Sequence, residues 1–278
     1  MTPAEVLSRY WGYDSFRPVQ EDIISSFLSG RDTIGLMPTG GGKSLTFQVP
    51  AMIFDGLTLV VTPLVSLMKD QVDNLFEHGI RAVYLHSGLS RREIRLAVDR
   101  CRAGYARLIY VSPEKLSQQF FIDDLKTWHI SAIVVDEAHC ISQWGYDFRP
   151  SYLKIRDLRR LLPGVPVLAL TASATPDVVR DIADKLQMTA PAIFSKSFDR
   201  SNLSYVVRHD EDKEGQLIRI LLNTRGTAIV YVRSRRRTRE LAEVLNKAGI
   251  SADYYHAGLS PEDKAHKQDR WKSGETRV

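Results

Sequence analysis

The sequence predicts a doubly wound α/β fold around a parallel sheet, and three observations carry that prediction. Short runs rich in β-branched residues alternate with amphipathic helical stretches along most of the chain. Most of these runs are apolar throughout, as strands covered on both faces must be. A glycine-rich turn follows the first run and precedes a helix, the kind of junction at which α/β sheets bind ligands.

Strands are expected at residues 33–37, 58–62, 81–85, 108–111, 132–135 and 167–170, with a second set at 228–232 and 252–256. Helices are expected between them, at 64–78, 91–102, 177–186 and 237–248. The first helix starts on Thr2 as N-cap, with Pro3 at the first helical position and Glu5 placed to close a capping box. A largely polar stretch over 195–214 interrupts the alternation and sets a domain boundary near residue 197, giving domains 1–197 and 198–278. The second block holds two clear strands, and Glu275-Thr276-Arg277-Val278 has the look of an entry into a third. A parallel sheet that small leaves its edges open, so the chain is expected to be the front portion of a longer protein.

Composition fits a globular chain: 44% hydrophobic and 26% charged residues. The net charge of +5 is a mild excess. It sits mostly beyond residue 200, where 15 basic residues face 11 acidic ones, against 23 and 22 before it. That bias suits a polyanionic partner without specifying one. Two separated cysteines, Cys101 and Cys140, exclude a disulfide scaffold and a cysteine-rich zinc site and fit a reducing compartment. With no signal segment and no apolar run of about 18 residues, the expectation is a soluble, cytoplasmic chain with no membrane partner.

Met37-Pro38-Thr39-Gly40-Gly41-Gly42-Lys43-Ser44 is the turn that carries chemistry. Its glycines let backbone N–H groups turn inward on phosphates, and the following helix adds positive potential at its N-terminus. Thr39, Gly40, Gly41 and Gly42 form the cradle. Lys43 reaches the β/γ-phosphates, and the Ser44 hydroxyl ligates Mg²⁺. The strict G-x-x-x-x-G-K-[ST] pattern fails at its first position, where Met37 stands. Downstream, Ile133-Val134-Val135-Asp136-Glu137-Ala138-His139 is an apolar strand delivering two carboxylates at its C-terminal end. Asp136 is placed to hold Mg²⁺ and Glu137 to orient and deprotonate the attacking water. Together these segments predict an ATP hydrolase using ATP and Mg²⁺.

In order along the chain, the motifs resemble superfamily 2 helicases and specifically the RecQ family. Tyr10-Trp11-Gly12-Tyr13-Asp14-Ser15-Phe16-Arg17-Pro18-Val19-Gln20-Glu21 resembles that family's adenine-recognition segment. The resemblance makes Tyr13 a stacking partner for the base and gives Arg17 and Gln20 hydrogen bonds to it. The bland reading is that Tyr13 and Phe16 staple the first helix to the core. Val61-Thr62-Pro63-Leu64-Val65-Ser66-Leu67-Met68-Lys69-Asp70-Gln71 resembles motif Ia and Tyr110-Val111-Ser112-Pro113-Glu114 motif Ib, both expected to touch a DNA backbone. Thr171-Ala172-Ser173-Ala174-Thr175-Pro176 resembles motif III, with Ser173 where threonine is usual. Its hydroxyls are implied to link nucleotide state to movement, although Thr175 before Pro176 also serves as a plain N-cap.

The segment from Cys140 to Tyr152, containing Gln143-Trp144-Gly145-Tyr146-Asp147-Phe148-Arg149-Pro150, resembles the RecQ aromatic-rich loop. Gln143, Trp144, Phe148 and Arg149 would meet unpaired bases and phosphates, and His139 would couple that contact to hydrolysis. Phe198-Asp199-Arg200-Ser201-Asn202-Leu203 resembles the family's inter-lobe junction, with Ser201 replacing proline. Residues 228–232 with the following arginines resemble motif IV, and Tyr255-His256-Ala257-Gly258-Leu259 the next strand-end motif. The five arginines from Arg233 to Arg239, Arg235 among them, either grip phosphates or form a solvated helical face.

The resemblance therefore implies a P-loop, RecA-like doubly wound parallel sheet as a complete first lobe, plus a partial second RecA-like lobe. It implies ATP-driven 3′–5′ translocation on single-stranded and forked DNA by a monomer in the bacterial nucleoid. The family's Q-x-x-G-R-A-G-R motif does not occur in these residues, so weak turnover is expected. A related RNA helicase, a non-catalytic DNA-binding module, and a P-loop transporter or kinase remain as the competing readings.

Overall fold

A computed structural model describes residues 1–145, 147–197 and 203–278. The chain divides into two compact units, Met1–Arg200 and Ser201–Val278. The junction residues 198–202 and Tyr146 lie outside the described residues.

The first unit holds seven strands: β1 (Thr33–Leu36), β2 (Leu57–Val61), β3 (Ala82–Leu85), β4 (Leu108–Val111), β5 (Ile130–Val135), β6 (Val167–Thr171) and β7 (Ala192–Ser195). They form one sheet in the order β3-β4-β2-β5-β6-β1-β7, and every recorded pairing is parallel. Eight helices surround it: α1 (Pro3–Trp11), α2 (Gln20–Leu28), α3 (Leu45–Ala51), α4 (Val65–Glu77), α5 (Arg91–Arg102), α6 (Gln119–Leu125), α7 (Ile155–Leu161) and α8 (Pro176–Lys185). The predicted caps form. Thr2 and Glu5 close a capping box on α1, and Thr175 caps α8 with Pro176 at its first turn.

The apolar runs are continuous because successive residues serve opposite faces. Leu59, Val61, Ile109, Val111, Ile133 and Val135 pack with residues of α5, α6, α7 and α8. Their neighbours Val60, Leu108, Tyr110, Ala132, Val134 and Leu168 pack with residues of α2, α3 and α4. A helix layer on each face is what parallel crossovers demand. Gly35 in β1 fits this density: a Cβ there would lie 2.8 Å from Leu170 Cδ2 and 3.0 Å from Ile23 Cδ1. The unpredicted β7 is a short edge strand, half in solvent, and pairs only with β1. Its exposed Ile193 and its place beside the polar stretch hide the strand signal.

The second unit holds α9 (Lys213–Asn223), α10 (Arg235–Lys247) and α11 (Pro261–Lys272) around Leu221, Leu245 and Ile250. Here the expectation of strands at 228–232 and 252–256 is corrected: neither segment is a strand. Few ladder hydrogen bonds reach these runs. Residues 277–278 lie between the two runs and engage only their beginnings, with Ala228 N–H donating to Arg277 O and Val278 N–H to Ser251 O. Asp253 N–H donates to Val278 O. Beyond that, Ile229 and Tyr231 are exposed.

Asp32 ties the first unit across the chain. Its carboxylate takes two hydrogen bonds from Arg159, at 3.2 and 2.7 Å, and one from Val167 N–H at 2.9 Å. It thereby joins the starts of β1 and β6 to α7. Asp32→Ala strands a largely buried guanidinium and a strand N–H. We expect a loss of about 2 kcal/mol, read by urea unfolding of the first unit.

Candidate nucleotide and nucleic-acid site

The phosphate loop leaves the carboxyl end of β1 and enters α3. Met37, the departure from the strict pattern, is fully buried with Phe47, Val60 and Leu170. Its N–H donates to Thr171 O at 3.0 Å, so this position extends the sheet before the loop turns. Gly40 and Gly42 then take positive φ angles of 76° and 82°. At Gly41 a Cβ would sit 2.8 Å from Pro38 O, and at Gly42 one would sit 2.3 Å from Gln20 Nε2.

Arg17 and Gln20 meet this loop. Gln20 is buried, donates from Nε2 to Gly42 O at 2.9 Å, and accepts from Arg17 N–H at 2.8 Å. Arg17 Nη1 donates to Gly40 O at 3.1 Å. Both side chains therefore hold the loop by its carbonyls. Val19, between them, has a φ of 74°. A β-branched residue in the left-handed region is strained by about 1–3 kcal/mol, held here by the packing of α2. Tyr13 stands exposed just past the end of α1.

Opposite the loop, β5 ends in the acidic pair. Lys43 Nζ lies 3.2 Å from Glu137 Oε1, an ion pair between residues 94 apart in sequence. Asp136 accepts from Thr62 Oγ1 at 3.2 Å and from Glu137 N–H at 3.0 Å. Tyr152 OH donates to Asp136 O at 2.9 Å. Burial, and then the neighbouring Glu137 carboxylate, raise Asp136 above the ordinary aspartate range; Lys43 and the hydrogen bonds oppose the rise. Glu137 itself is left-handed, φ 47° and ψ 47°, so strain marks the turn that aims its side chain. Ser44 stands half-buried at the start of α3. Two adjacent carboxylates plus hydroxyls form a hard oxygen set that suits a divalent cation such as Mg²⁺, and its charge would relieve the cost Asp136 bears.

A buried chain leads from Glu137 to the motif III segment. His139 Nδ1 lies 2.9 Å from Thr171 Oγ1 and 3.4 Å from Glu137 Oε2. Burial first, with Lys43 and Arg149 adding to it, lowers His139 below its ordinary 6.5, outweighing the pull of Glu137 and Asp147. Nε2, on the other side of the ring, faces Cys140 Sγ at 3.8 Å. Thr171 Oγ1 in turn donates to Ser173 O at 3.3 Å and accepts from Ser173 N–H at 3.2 Å. Ser173 is exposed beyond it.

Past a short turn at Ala138–Ile141, the aromatic-rich segment reaches solvent. Trp144 is 80% exposed, Gln143 is exposed and Phe148 half-buried, leaving the indole open for stacking. Arg149 is already engaged: it donates to Asp147 Oδ2 from Nε at 3.2 Å and Nη2 at 3.1 Å, and from Nη1 to Pro63 O at 3.3 Å. It joins this loop to the motif Ia segment. Arg235 belongs to the second unit, exposed beside Gly258. Among its neighbours, Arg236 and Arg237 pair with Glu240, Arg237 also with Glu214, and Arg239 lies over the Tyr254 ring. Those three behave as a solvated helical face.

Sequence patterns gave Thr62, Tyr152 and Asp147 no part beside the acidic pair, and named the Thr171 hydroxyl only within motif III, without its contact to His139. Thr62 follows Val61, which pairs with Val135, so β2–β5 adjacency puts it beside Asp136. No local pattern reveals that adjacency.

Two outcomes follow from this geometry. Gly42→Ala forces a Cβ onto Gln20 in a left-handed backbone and should destabilise by about 2 kcal/mol. Gln20→Ala should recover part of that loss in a double-mutant cycle. For His139 the depressed folded pKa leaves stability intact above 6.5 and removes it as pH falls through that value. Thermal unfolding from about pH 7.5 to about pH 5.5 should lower wild-type stability more than that of His139→Asn.

Known proteins resemble this chain. Residues 17–182 match the DEAD/DEAH box helicase family. The chain is 41% identical over its whole length to the ATP-dependent DNA helicase RecQ of Pasteurella multocida, of which it covers 44%. It is 42% identical over 94% of its length to the probable ATP-dependent DNA helicase RecS of Bacillus subtilis, of which it covers 53%. The chain thus spans about half the length of these curated relatives or less. Among solved structures, Mycobacterium smegmatis helicase Lhr bound to ssDNA and AMP-PNP matches with a TM-score of 0.68 at 20% identity, over 98% of this chain and 41% of that one. The helicase MrfA bound to DNA matches at 0.71 and 17%, over 99% and 43%. These two likenesses speak for the fold alone. The family match over more than half of the chain, together with the RecQ relatives, places this protein among the DEAD/DEAH box helicases, in the RecQ family.

Proposed function

We propose that residues 1–278 carry the nucleotide-binding part of a RecQ-type motor that couples ATP hydrolysis to 3′–5′ movement along single-stranded DNA. The observation that carries this reading is the Lys43–Glu137 contact, which joins the phosphate loop to the acidic strand end. In the proposed complex Lys43 exchanges Glu137 for the β/γ-phosphates, and Ser44 and Asp136 would hold Mg²⁺. Glu137, released from Lys43, orients water for in-line attack. Bound Mg²⁺ would supply charge neutralisation at the transferring phosphoryl group. Tyr13 stacks on the adenine, and Arg17 and Gln20 reach its edge by giving up their bonds to the carbonyls of Gly40 and Gly42. Trp144 and Phe148 stack on unpaired bases, and His139, Thr171 and Ser173 link that contact to the nucleotide.

We assign residues 1–197 to a first RecA-like lobe and 198–278 to part of a second, with Arg235 and the 255–259 segment on its nucleic-acid side. No Q-x-x-G-R-A-G-R sequence occurs in these residues, and the slow-turnover reading rests on that. Residues 1–278 by themselves should bind Mg·ATP and turn it over slowly. Mg·ATP should raise the melting temperature of the wild type and leave Lys43→Ala and Asp136→Ala unmoved. Phosphate release by malachite green should stay low with oligo-dT and lower still with oligo-U. No Mg·ATP shift in the wild type would sink the site assignment. Brisk oligo-dT-stimulated release would overturn the slow-turnover expectation, and preference for oligo-U would favour an RNA substrate.

A further inference from the structure

Beside the acidic strand end lies a side-chain cluster that shares His139 with the nucleotide site and adds Cys140 and Asp147, which that site does not use. His139, Cys140 and Asp147 each offer one ligand atom, and these atoms lie within 4.8 Å of one another. Cys140 Sγ is 3.8 Å from His139 Nε2 and 3.7 Å from Asp147 Oδ2. Donors around a tetrahedral Zn²⁺ stand about 3.5 Å apart, so small side-chain movements would close this set on one ion.

We propose that His139 Nε2, Cys140 Sγ and an Asp147 carboxylate oxygen form a binding site for a thiophilic divalent transition-metal ion of the Zn²⁺ or Co²⁺ type.

Four features support the assignment. The donors are one nitrogen, one sulfur and one oxygen, a set that favours Zn²⁺ or Co²⁺ over Mg²⁺ or Ca²⁺. The His139 ring is already held: its Nδ1 lies against Glu137 and Thr171, and its Nε2 faces Cys140 Sγ. That is how ligating histidines are held from behind by carboxylates and hydroxyls. Arg149 donates to Asp147 Oδ2, the same oxygen that Cys140 Sγ approaches, and so holds the carboxylate beside the cysteine. The Asp147 side chain is 45% exposed, which gives the ion an entry.

Uptake releases one proton, as the Cys140 S–H bond is replaced by a sulfur–metal bond and no electron moves. The charges of thiolate, carboxylate and divalent ion cancel, with water completing the fourth position. Sequence spacing conceals the set, because a single cysteine with neighbours at positions 139 and 147 matches no C-x-x-C pattern. An ion here would clamp the base of the aromatic-rich loop that carries Trp144.

The test is Co²⁺ titration of the complete chain, followed by absorption. A thiolate-to-cobalt charge-transfer band in the near-ultraviolet, with visible bands of tetrahedral intensity, is expected for the wild type and for Cys101→Ser. Cys140→Ser should lose the charge-transfer band, and Asp147→Asn should weaken Co²⁺ binding about tenfold or more. Circular dichroism checks that each variant folds, and displacement by Zn²⁺ reads competition at the same site. A wild type without the band, or a band that survives Cys140→Ser, overturns the proposal. Neither result bears on nucleotide binding, which Lys43→Ala reports separately.

Discussion

The pairing of Lys43 with Glu137 is the contact on which the site depends. A lysine in a glycine-rich turn and a carboxylate at a strand end are each costly to leave half-buried and alone. Bringing them within 3.2 Å answers both costs and fixes the distance between β1 and β5 at their carboxyl ends. β6 lies between those two strands, and its last residue, Thr171, meets His139. The sheet order therefore places the phosphate loop, the acidic pair and the motif III segment along one edge. Asp136 carries the remaining cost, raised by burial and by its neighbour. Much of the site's polar geometry serves to hold these groups without a ligand.

Part of the backbone strain falls in the same place, the rest at Gln187 and Ala190 between α8 and β7. Val19 and Glu137 are both left-handed without being glycine, and each immediately precedes or is a residue aimed into the site. Val19 starts the helix that presents Gln20 to Gly42. Glu137 turns the chain out of β5 so that its carboxylate faces Lys43 while its N–H bonds Asp136. Strain at two such positions, maintained by a core packed on both sides of the sheet, is a form of preorganisation.

Local chemistry was legible in the sequence and long-range adjacency was not. The phosphate loop, the acidic strand end and the capping box at Thr2 rest on neighbouring residues, and each forms as their types require. Six strands of the first unit were legible from continuous apolar runs, while β7 was lost among polar neighbours. Arg17 and Gln20 were singled out from the resemblance, but their grip on the carbonyls of Gly40 and Gly42 needed the fold. The same holds for Thr62 and Tyr152, which reach Asp136 only because distant segments meet there. In the second unit the runs at 228–232 and 252–256 have strand composition without strand structure. Composition supplies the propensity, but a neighbour must supply the hydrogen bonds.

Those unpaired runs bear on how the chain behaves at high concentration. Ile229 is 61% exposed and Tyr231 90%, on backbone with no ladder partner past Ala228. An extended apolar segment with open donors and acceptors is a template for any other extended segment it meets. Colloidal behaviour of these residues is thus governed less by the well-packed first unit than by a few residues of the second. Charged substitution at Ile229 or Tyr231 is a handle on solubility, since both side chains already stand in solvent.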